Sequence, residues 1–550
     1  MQAYRGKGIM KSVADISVLI VDSSLGMRGS LRNMLSMCEI HNITNAPSAA
    51  AAMRKLRGAR YDLILCEYHL GDGQDGQHFL EDIRQHRLVP LSTVFIMVTG
   101  EAGYDKVVSA AELAPNDYIL KPFTGDLLLE RIVRAMAKRD AFRPAYQLVE
   151  IGNYFDALDY LAAAEAKFRP YALDLMRLRA EIQLAVGNPV ESQRIYQQVL
   201  DIKSVPWARL GLAKSLYLQK QYLEAEPILE GLVAESQLYL DAYDWLAKTR
   251  EAIGKTEEAT VTVREAVDLS PHTVRRLRKL GELTLESGDL ETAEKMLAKV
   301  VHKGKYSDFR DPEDHVRLMQ VVLGKGEPDR AQTVIWDMER SMRGHTKTPA
   351  CSAISTAFLH SNGKDKHLAR DALDNAVRAS QAVPGLSSGI RTDLVRECLN
   401  FQMDEQAVVV LSDVMRNASD EQTMARVRQM LDKAGKAQLA ETVARQAGSE
   451  TDEIMREGAQ RAASGDLAGA VGLMLEAVRR MPGNPRMMMN AALAILKHID
   501  TLGWSESLAS QAHGFITRAR LIDPGNDRLA AISNFHYAML KKYGVRPDRL

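Results

Sequence analysis

The 550-residue sequence has few cysteines, few aromatic residues and no net charge. Its cysteines show neither CxxC nor Cys/His ligand spacing, so we interpret them as ordinary thiols of a reducing compartment: Cys38, Cys66, Cys351 and Cys398. Lysine plus arginine equals aspartate plus glutamate, 71 each, which argues against a chain built mainly to bind nucleic acid. No apolar run approaches the roughly 18 residues of a membrane span, and none of signal-peptide type precedes Asp15. We therefore expect a soluble cytoplasmic protein.

The first 140 residues alternate β-prone apolar runs with amphipathic stretches. The apolar runs are residues 16–21, 63–66, 93–98 and 118–120. This alternation predicts an α/β fold with a doubly wound parallel sheet, in which the carboxyl ends of the strands share one edge. We therefore expect the polar residues at the strand ends to lie together: Asp22, Ser23, Glu67, Thr99 and Lys121.

Four segments, VLIVDSS, DLILCEYHLGDGQDG, FIMVTGEA and NDYILKPF, resemble the signature segments of the response-regulator receiver domain. The resemblance covers about residues 15–140 and implies a flavodoxin-like fold. In that family, acids after the first and third strands hold Mg²⁺, and the third-strand aspartate accepts a phosphoryl group from a histidine kinase. The resemblance assigns Asp22 to the first acid, Thr99 to the hydroxyl and Lys121 to the lysine that hold the phosphoryl oxygens, and Tyr118 to the aromatic switch.

Two positions depart from the family pattern. Ser23 stands where the second metal-binding acid is expected, and Glu67 stands where the phosphate-accepting aspartate is expected. Mg²⁺ favours carboxylate oxygens, so we expect a weak or absent Mg²⁺ site at Asp22, Ser23 and Glu67, and no required cofactor. The longer Glu67 side chain would carry its carboxylate toward Thr99 and Lys121, where it could imitate a phosphorylated aspartate with less charge.

Three interpretations of this receiver stay open. Glu67 holds it near an active-like state, or the domain is kept only as a packing module, or Glu67 is still phosphorylated in a phosphorelay. Asp72 and Asp75 in the following loop are interpreted as turn residues rather than as substitute acceptors.

From residue 145 onward a period of about 34 residues replaces the strand alternation. Its marker is a glycine with a small residue five positions later, at Gly152/Ala157, Gly187/Ser192, Lys220/Ala225 (lysine replacing glycine), Gly254/Ala259, Gly288/Ala293 and Gly326/Ala331. Glycine allows a left-handed turn between two helices, and the small residue lets the helices approach closely. The pattern resembles the tetratricopeptide repeat, which implies an all-α helical solenoid that binds protein segments.

The predicted organisation has six parts. They are a disordered N-terminal extension (1–14), the receiver (15–142), a tetratricopeptide-like array (143–340), an irregular helical connection (341–395), a degenerate array with a capping helix (396–543) and a tail (544–550). We expect a bend or flexible joint within 341–395. No Gly/Ser-rich linker follows the receiver, so we expect it to be coupled rigidly to the first repeat.

The first helices of successive repeats would line a concave surface. The repeat pattern places on it an aromatic and basic set of residues: Trp207, Lys214, Tyr217, Trp245, Lys248, Arg275, Arg278, Lys279 and Arg317. Such a set suits a partner segment that carries acidic or aromatic side chains. The alternative is that these residues are solvated faces and packing between repeats.

These features favour a signalling adaptor over an enzyme, because no GxSxG, HExxH or Walker-type motif is found. We expect protein partners on the concave face and a histidine kinase as a candidate partner, with no nucleic acid and no membrane. A DNA-binding regulator is disfavoured because no helix-turn-helix pattern follows the receiver. The closest alternative is a structural or oligomeric scaffold with a degenerate receiver, including a homodimer formed through receiver helices.

Overall fold

The computed structural model describes residues 13–71, 76–85, 88–100, 115–236, 239–271, 273–304, 310–383, 385–417, 421–526 and 528–545. The chain forms two compact units. The first comprises Met1–Ile182, Val190–Thr249 and Asp268–Thr273, and the second comprises Gln183–Pro189, Arg250–Val267 and Val274–Leu550. Most of the predicted extension, the end of the tail, and the loop residues Asp72 and Asp75 lie outside the described residues.

The first unit contains a parallel sheet in the strand order β2–β1–β3–β4–β5. The strands are β1 (Val18–Val21), β2 (Ile43–Ala46), β3 (Leu63–Glu67), β4 (Val94–Thr99) and β5 (Asp117–Leu120). The helices α1 (Leu25–Met37), α2 (Ala49–Gly58) and α3 (Gly76–Gln85) alternate with them. Strands β1 and β4 are buried along their whole length, as expected of central parallel strands. This confirms the predicted flavodoxin-like fold for the N-terminal part of the chain.

Strand β2 was not predicted from the sequence. Its residues ITNA include polar Thr44 and Asn45, and three of the four are only half-buried at the edge of the sheet. An edge strand needs no continuous apolar run, so the periodicity that marks the central strands is missing here.

A single helix, α4 (Gly125–Glu150), leads from the sheet into the helical part of the first unit. Its N-terminal half packs on the sheet through buried residues such as Leu128 and Ile132. Near its C-terminal end the Ala141 carbonyl accepts a hydrogen bond of 2.8 Å from the Tyr160 hydroxyl of the next helix. The predicted boundary at residue 142 therefore falls inside a continuous helix.

Helices joined by short connections make up most of the rest of the described chain. They are α5 (Tyr154–Lys167), α6 (Ala172–Ala185), α7 (Pro189–Ile202), α8 (Pro206–Leu218), α9 (Tyr222–Glu235), α10 (Leu240–Ala252), α11 (Thr256–Leu269), α12 (Val274–Ser287), α13 (Leu290–Gly304), α14 (Pro312–Gly324), α15 (Pro328–Ser341), α16 (Thr348–Ser361), α17 (Lys366–Ala382), α18 (Ser388–Asn400), α19 (Asp404–Asn417), α20 (Glu421–Lys433), α21 (Ala437–Ala463), α22 (Leu467–Arg480), α23 (Pro485–Leu502), α24 (Glu506–Ile522) and α25 (Leu529–Tyr543). Within the described ranges, none of the helices combines the length and the apolar character that crossing a membrane requires.

The turns between paired helices have the predicted left-handed backbone. The marker glycines have φ between +75° and +84°: Gly152, Gly187, Gly254, Gly288 and Gly326. Lys220, the predicted substitute, has φ +62°. The small residue five positions later is fully buried in every case: Ala157, Ser192, Ala225, Ala259, Ala293 and Ala331. Gln402, with φ +57°, and the fully buried Ala407 repeat the same pattern further along the chain.

The range 341–395, where an irregular helical connection is expected, is largely helical in its described residues. Helices α16 and α17 and the start of α18 occupy it, and one hydrophobic core runs from Ala293 to Ala447 without a break. A separate core begins at Val471, so the change of core falls at the long helix α21. Helix α16 buries Ile354 and Phe358 in the first of these cores. Gly363, in the turn after α16, lacks the left-handed backbone of the marker glycines.

Candidate functional site

The parallel pairing of the strands aligns their carboxyl ends. Val21 lies opposite Cys66, Glu67 opposite Val98, and Thr99 opposite Leu120. Residues that end or directly follow these strands are therefore brought to one edge of the sheet. This edge is called the strand-end site below, and it is defined by Asp22, Glu67, Thr99 and Lys121.

The centre of the strand-end site is the ammonium group of Lys121. Its Nζ lies 3.4 Å from Asp22 Oδ2 and also donates to Glu67 Oε2. The exposed fraction of the side chain is 3% for Asp22, 12% for Glu67 and 20% for Lys121. One cation thus serves two largely buried carboxylates, and the charges of this trio sum to minus one.

The other carboxylate oxygens accept hydrogen bonds from backbone N–H groups. Glu67 Oε1 accepts from the amides of Tyr68, at 2.7 Å, and His69, at 3.3 Å. Asp22 Oδ1 accepts from the amide of Ser24 at 2.7 Å. Backbone amides and an ammonium group therefore supply hydrogen-bond donors to both acids.

Thr99, Tyr118 and Ser23 lie around this centre. Thr99 is fully buried, and its carbonyl accepts a 2.8 Å hydrogen bond from the amide of Lys121. Tyr118 is half-buried on β5, whereas Ser23 is exposed. The predicted residues therefore meet at one edge, with Ser23 beside the buried Asp22.

Two residues that support the site were missed by the sequence analysis. Arg28 donates to the carbonyls of Asp22, at 2.5 Å, and Ser23, at 3.0 Å. Gly76 donates its N–H to the Tyr68 carbonyl at 2.7 Å, and a Cβ at this position would lie 2.4 Å from the Glu67 carbonyl oxygen. A glycine at the start of a helix is a weak sequence signal of such a close approach. The position of Arg28 in the sequence gives no signal of its hydrogen bonds to backbone carbonyls.

The family resemblance implies a bound Mg²⁺, which prefers about six oxygen ligands. Over the described ranges, no three His, Cys, Asp or Glu side chains converge in a way that could hold a metal ion. The two carboxylates that do converge, from Asp22 and Glu67, already share the ammonium group of Lys121. The residues present therefore do not fit a divalent cation.

Of the predicted groove residues of the first unit, Lys214, Tyr217 and Lys248 all contact the ring of Trp245. The ammonium groups of Lys214 and Lys248 lie 5.4 Å and 4.5 Å from the ring centroid of Trp245. The Tyr217 ring meets Trp245 edge-on, with 5.3 Å between centroids. Lys214 is buried and Lys248 is exposed, while the Trp207 ring is half-buried. These contacts are cation–π and aromatic packing between helices, with one exposed cation at the rim.

In the second unit, the predicted groove residues Arg278, Lys279 and Arg317 form ion pairs with carboxylates of the same unit. The pairs are Arg278 with Asp314, Lys279 with Glu251, and Arg317 with Asp393. Arg278 donates two hydrogen bonds, of 2.6 and 2.8 Å, to the Asp314 carboxylate, and these bonds raise the pKa of Arg278 above its ordinary value. Arg275 is exposed. These three ion pairs favour the alternative interpretation, in which the residues contribute to packing between repeats.

The family model for the response regulator receiver domain matches residues 18–133. The chemotaxis protein CheY of Pseudomonas aeruginosa is 31% identical over 118 residues, which are 21% of this chain and 93% of that protein. The chemotaxis protein CheY-3 of Vibrio cholerae is 29% identical over 118 residues, which are 22% of this chain and 89% of that protein. A crystal structure of a CheY-like receiver domain protein from Methanospirillum hungatei is 26% identical and covers 23% of this chain and 96% of its own, with a TM-score of 0.21.

Proposed function

Because this chain belongs, through residues 18–133, to the response regulator receiver domain family, we propose that it is a two-component-type signalling adaptor. In this proposal Glu67 sets the state of the receiver, and the helical repeats bind another protein. The chain catalyses no reaction of its own. The observation that carries the proposal is the Lys121 ammonium group held between Asp22 and Glu67.

The geometry around Glu67 disfavours phosphoryl transfer. The carboxylate oxygen that attacks phosphorus must give up a hydrogen bond, so Glu67 would lose either the bond from Lys121 to Oε2 or the bond from Tyr68 to Oε1. Phosphoryl transfer also needs cations that neutralise the transferred group, and the residues present do not fit a metal ion. The same contacts support the alternative role, in which the Glu67 carboxylate permanently occupies the position beside Lys121 that a phosphorylated acid would take.

The connection between the strand-end site and the helical region supports an adaptor. Thr124 caps helix α4 only three residues after Lys121, and α4 continues to Glu150. The Glu150 carboxylate accepts a 2.6 Å hydrogen bond from the amide of Leu91, in the loop before β4. Both ends of α4 therefore contact the receiver, and α4 continues into the helical region. A displacement at Lys121 would be transmitted to this helix.

The helical repeats are proposed to be of the tetratricopeptide type, on the support of their left-handed turns and fully buried small residues. In such arrays the first helices bind extended or helical protein segments. The best-supported contact point is Trp245 with the exposed Lys248, which suits an aromatic or acidic side chain of a partner. Lys248→Glu should weaken capture of such a partner at least about tenfold, by adding like-charge repulsion. Unchanged capture would remove this contact point.

Phosphorylation of the full chain tests the receiver part of the proposal. After incubation with acetyl phosphate and Mg²⁺, intact mass spectrometry of the wild type should show no added phosphoryl group. The matched variant, Ser23→Asp with Glu67→Asp, restores both family acids and should gain one. A phosphoryl group on Glu67 of the wild type would overturn the proposal.

A second candidate is a structural scaffold in which the receiver serves only for packing. The continuous helix α4 favours it, because that helix attaches the receiver to the repeats whatever residue occupies position 67. Hydrogen exchange of the Glu67→Gln variant separates the two. If Glu67 sets a state, amide protection should fall along α4, whereas a packing module should show changes only next to residue 67.

A further inference from the structure

Helix α20 (Glu421–Lys433) makes an ionic contact far from its neighbours in the sequence. The Arg426 guanidinium group lies 3.5 Å from a carboxylate oxygen of Glu251 and 3.7 Å from one of Glu286. All three residues belong to the second unit. Glu251 and Glu286 lie about four repeat lengths or more before Arg426, whereas stacked repeats ordinarily contact only their immediate neighbours.

The contact joins a half-exposed cation to an acid pair of mixed exposure. The exposed fraction of the side chain is 51% for Arg426, 49% for Glu286 and 8% for Glu251. Glu251 is also held by Lys279, whose ammonium group lies 2.7 Å away. Exposed ion pairs of this length are weak and are screened by salt, so this contact can open without unfolding the helices that carry it.

Another face of α20 is anchored in the hydrophobic core. Val427 and Leu431 are completely buried in the core that runs from Ala293 to Ala447. Helix α20 therefore stays packed in its own repeat when the ion pairs of Arg426 with Glu251 and Glu286 break. The contact with the acid pair is lost.

We propose that Arg426 is a latch that holds α20 against the acid pair formed by Glu251 and Glu286. Closed, the latch ties together first helices of non-neighbouring repeats and limits access to the surface between them. Open, it exposes two carboxylates that suit a basic side chain of a partner segment. Its action as a gate on partner binding rests on the proposed function, but the latch itself does not and is measured without any partner.

Distance measurement between spin labels on the full chain tests the latch. The labels are attached to Glu257→Cys and Gln429→Cys, at exposed positions, with the half-exposed Cys38 replaced by serine. The wild-type background should give one narrow distance distribution. Arg426→Glu places a third carboxylate beside the acid pair and should shift the distribution to longer and broader distances. Raising the salt to about 1 M, where the Debye length is about 3 Å, should broaden the wild-type distribution in the same direction.

Arg428→Glu is the matched control, because Arg428 is an exposed arginine on the same helix and the charge change is identical. It should leave the distribution narrow. Adding Glu286→Arg to Arg426→Glu should recover part of the narrow population. A distribution that Arg426→Glu leaves unchanged, equal broadening by Arg428→Glu, or no recovery on the charge swap would overturn the latch. None of these results depends on whether Glu67 accepts phosphate.

Discussion

Two places in the molecule neutralise buried acids in different ways. At the strand-end site of the first unit, Lys121 lies between two carboxylates that come from different strands. In the second unit, Arg278 directs two nitrogens to the single carboxylate of Asp314. The first arrangement keeps a net negative charge at the edge of a sheet, and the second is neutral. From the sequence, both Lys121 and Arg278 were candidate binding residues. The structure shows that they differ in the number of carboxylates they contact.

The difference between the shared cation and the closed ion pair indicates which of the two arrangements serves packing and which is sensitive to change. A neutral two-bond pair between helices leaves no charge for a partner, so it serves the packing of the repeats. A shared ammonium group with excess carboxylate charge is sensitive to the loss of any member, because the acids repel each other once it is gone. Four substitutions or changes of condition examine this comparison.

Lys121→Met should have the largest effect. It leaves the buried carboxylates of Asp22 and Glu67 without their cation, and we expect the free energy of opening of strands β1 and β3 to fall by about 3 kcal/mol. Native-state hydrogen exchange of the amides in these strands measures it. Lys121→Arg keeps the charge and is the control. A loss below about 1 kcal/mol would mean that the trio is no more coupled than a surface ion pair.

A buried histidine in the second unit offers a third way of handling a titratable group. Burial, helped by His513 and Arg520, lowers the pKa of His536 to about 4, from 6.5 in an exposed histidine. The unfolded chain therefore takes up a proton first as the pH falls, and stability should be lost between about pH 6.5 and 4. The loss around helix α25 should reach about 2–3 kcal/mol.

The slope of opening free energy against pH in α25, again by hydrogen exchange, measures this effect. His536→Gln should flatten the slope, because it removes the titrating group. His41→Gln changes an exposed histidine of the first unit and should leave the slope unaltered. An unaltered slope in His536→Gln would assign the acid sensitivity to other groups.

Arg278→Ala should cost less than Lys121→Met. It leaves one mostly buried carboxylate, that of Asp314, without its cation. The Asp314 side chain is 9% exposed, but that of Arg278 is 34% exposed, so water reaches part of the site. We expect a loss of about 1.5 kcal/mol in the opening free energy of helices α12 and α14. If the loss equals that of Lys121→Met, the distinction between a shared cation and a closed pair does not hold.

Arg194→Ala should have the smallest effect. Arg194 donates two hydrogen bonds, of 2.8 and 2.5 Å, to Glu191, so its geometry matches that of Arg278 with Asp314. Its side chain is 56% exposed, however, and we expect a loss below about 0.5 kcal/mol. The two ion pairs have the same hydrogen-bond geometry and differ in burial, so comparing them measures the effect of burial alone. A loss similar to that of Arg278→Ala would show that burial is not the deciding factor.

The strand-end site could be predicted because apolar runs stop abruptly at polar residues. Asp22, Glu67, Thr99 and Lys121 each end or follow such a run, and parallel strands place those ends together. Gly76 and Arg28 act on backbone carbonyls, which leave no trace in residue patterns. Strand β2 lies at an edge and needs no apolar run, so periodicity could not find it.

In the helical region the turns could be predicted from the sequence, whereas the partners of the charged side chains could not. A left-handed residue five positions before a buried small residue is a local requirement, and it was met at every marked turn, with Lys220 in place of glycine at one of them. The pairing of Arg278 with Asp314 depends on how one helix pair stacks on the next, and a single sequence does not specify that register. The bend or flexible joint expected within 341–395 stays a prediction, and the two hydrophobic cores of this region change over at helix α21.

Calorimetric titration of the full chain with MgCl₂ tests the central claim most directly. Because the Lys121 ammonium group already lies between Asp22 and Glu67, the wild type should show no saturable binding up to about 10 mM Mg²⁺. Saturable binding of one ion at lower concentration, abolished by Asp22→Asn, would contradict the account, since the site would then hold the metal that phosphate-operated receivers use.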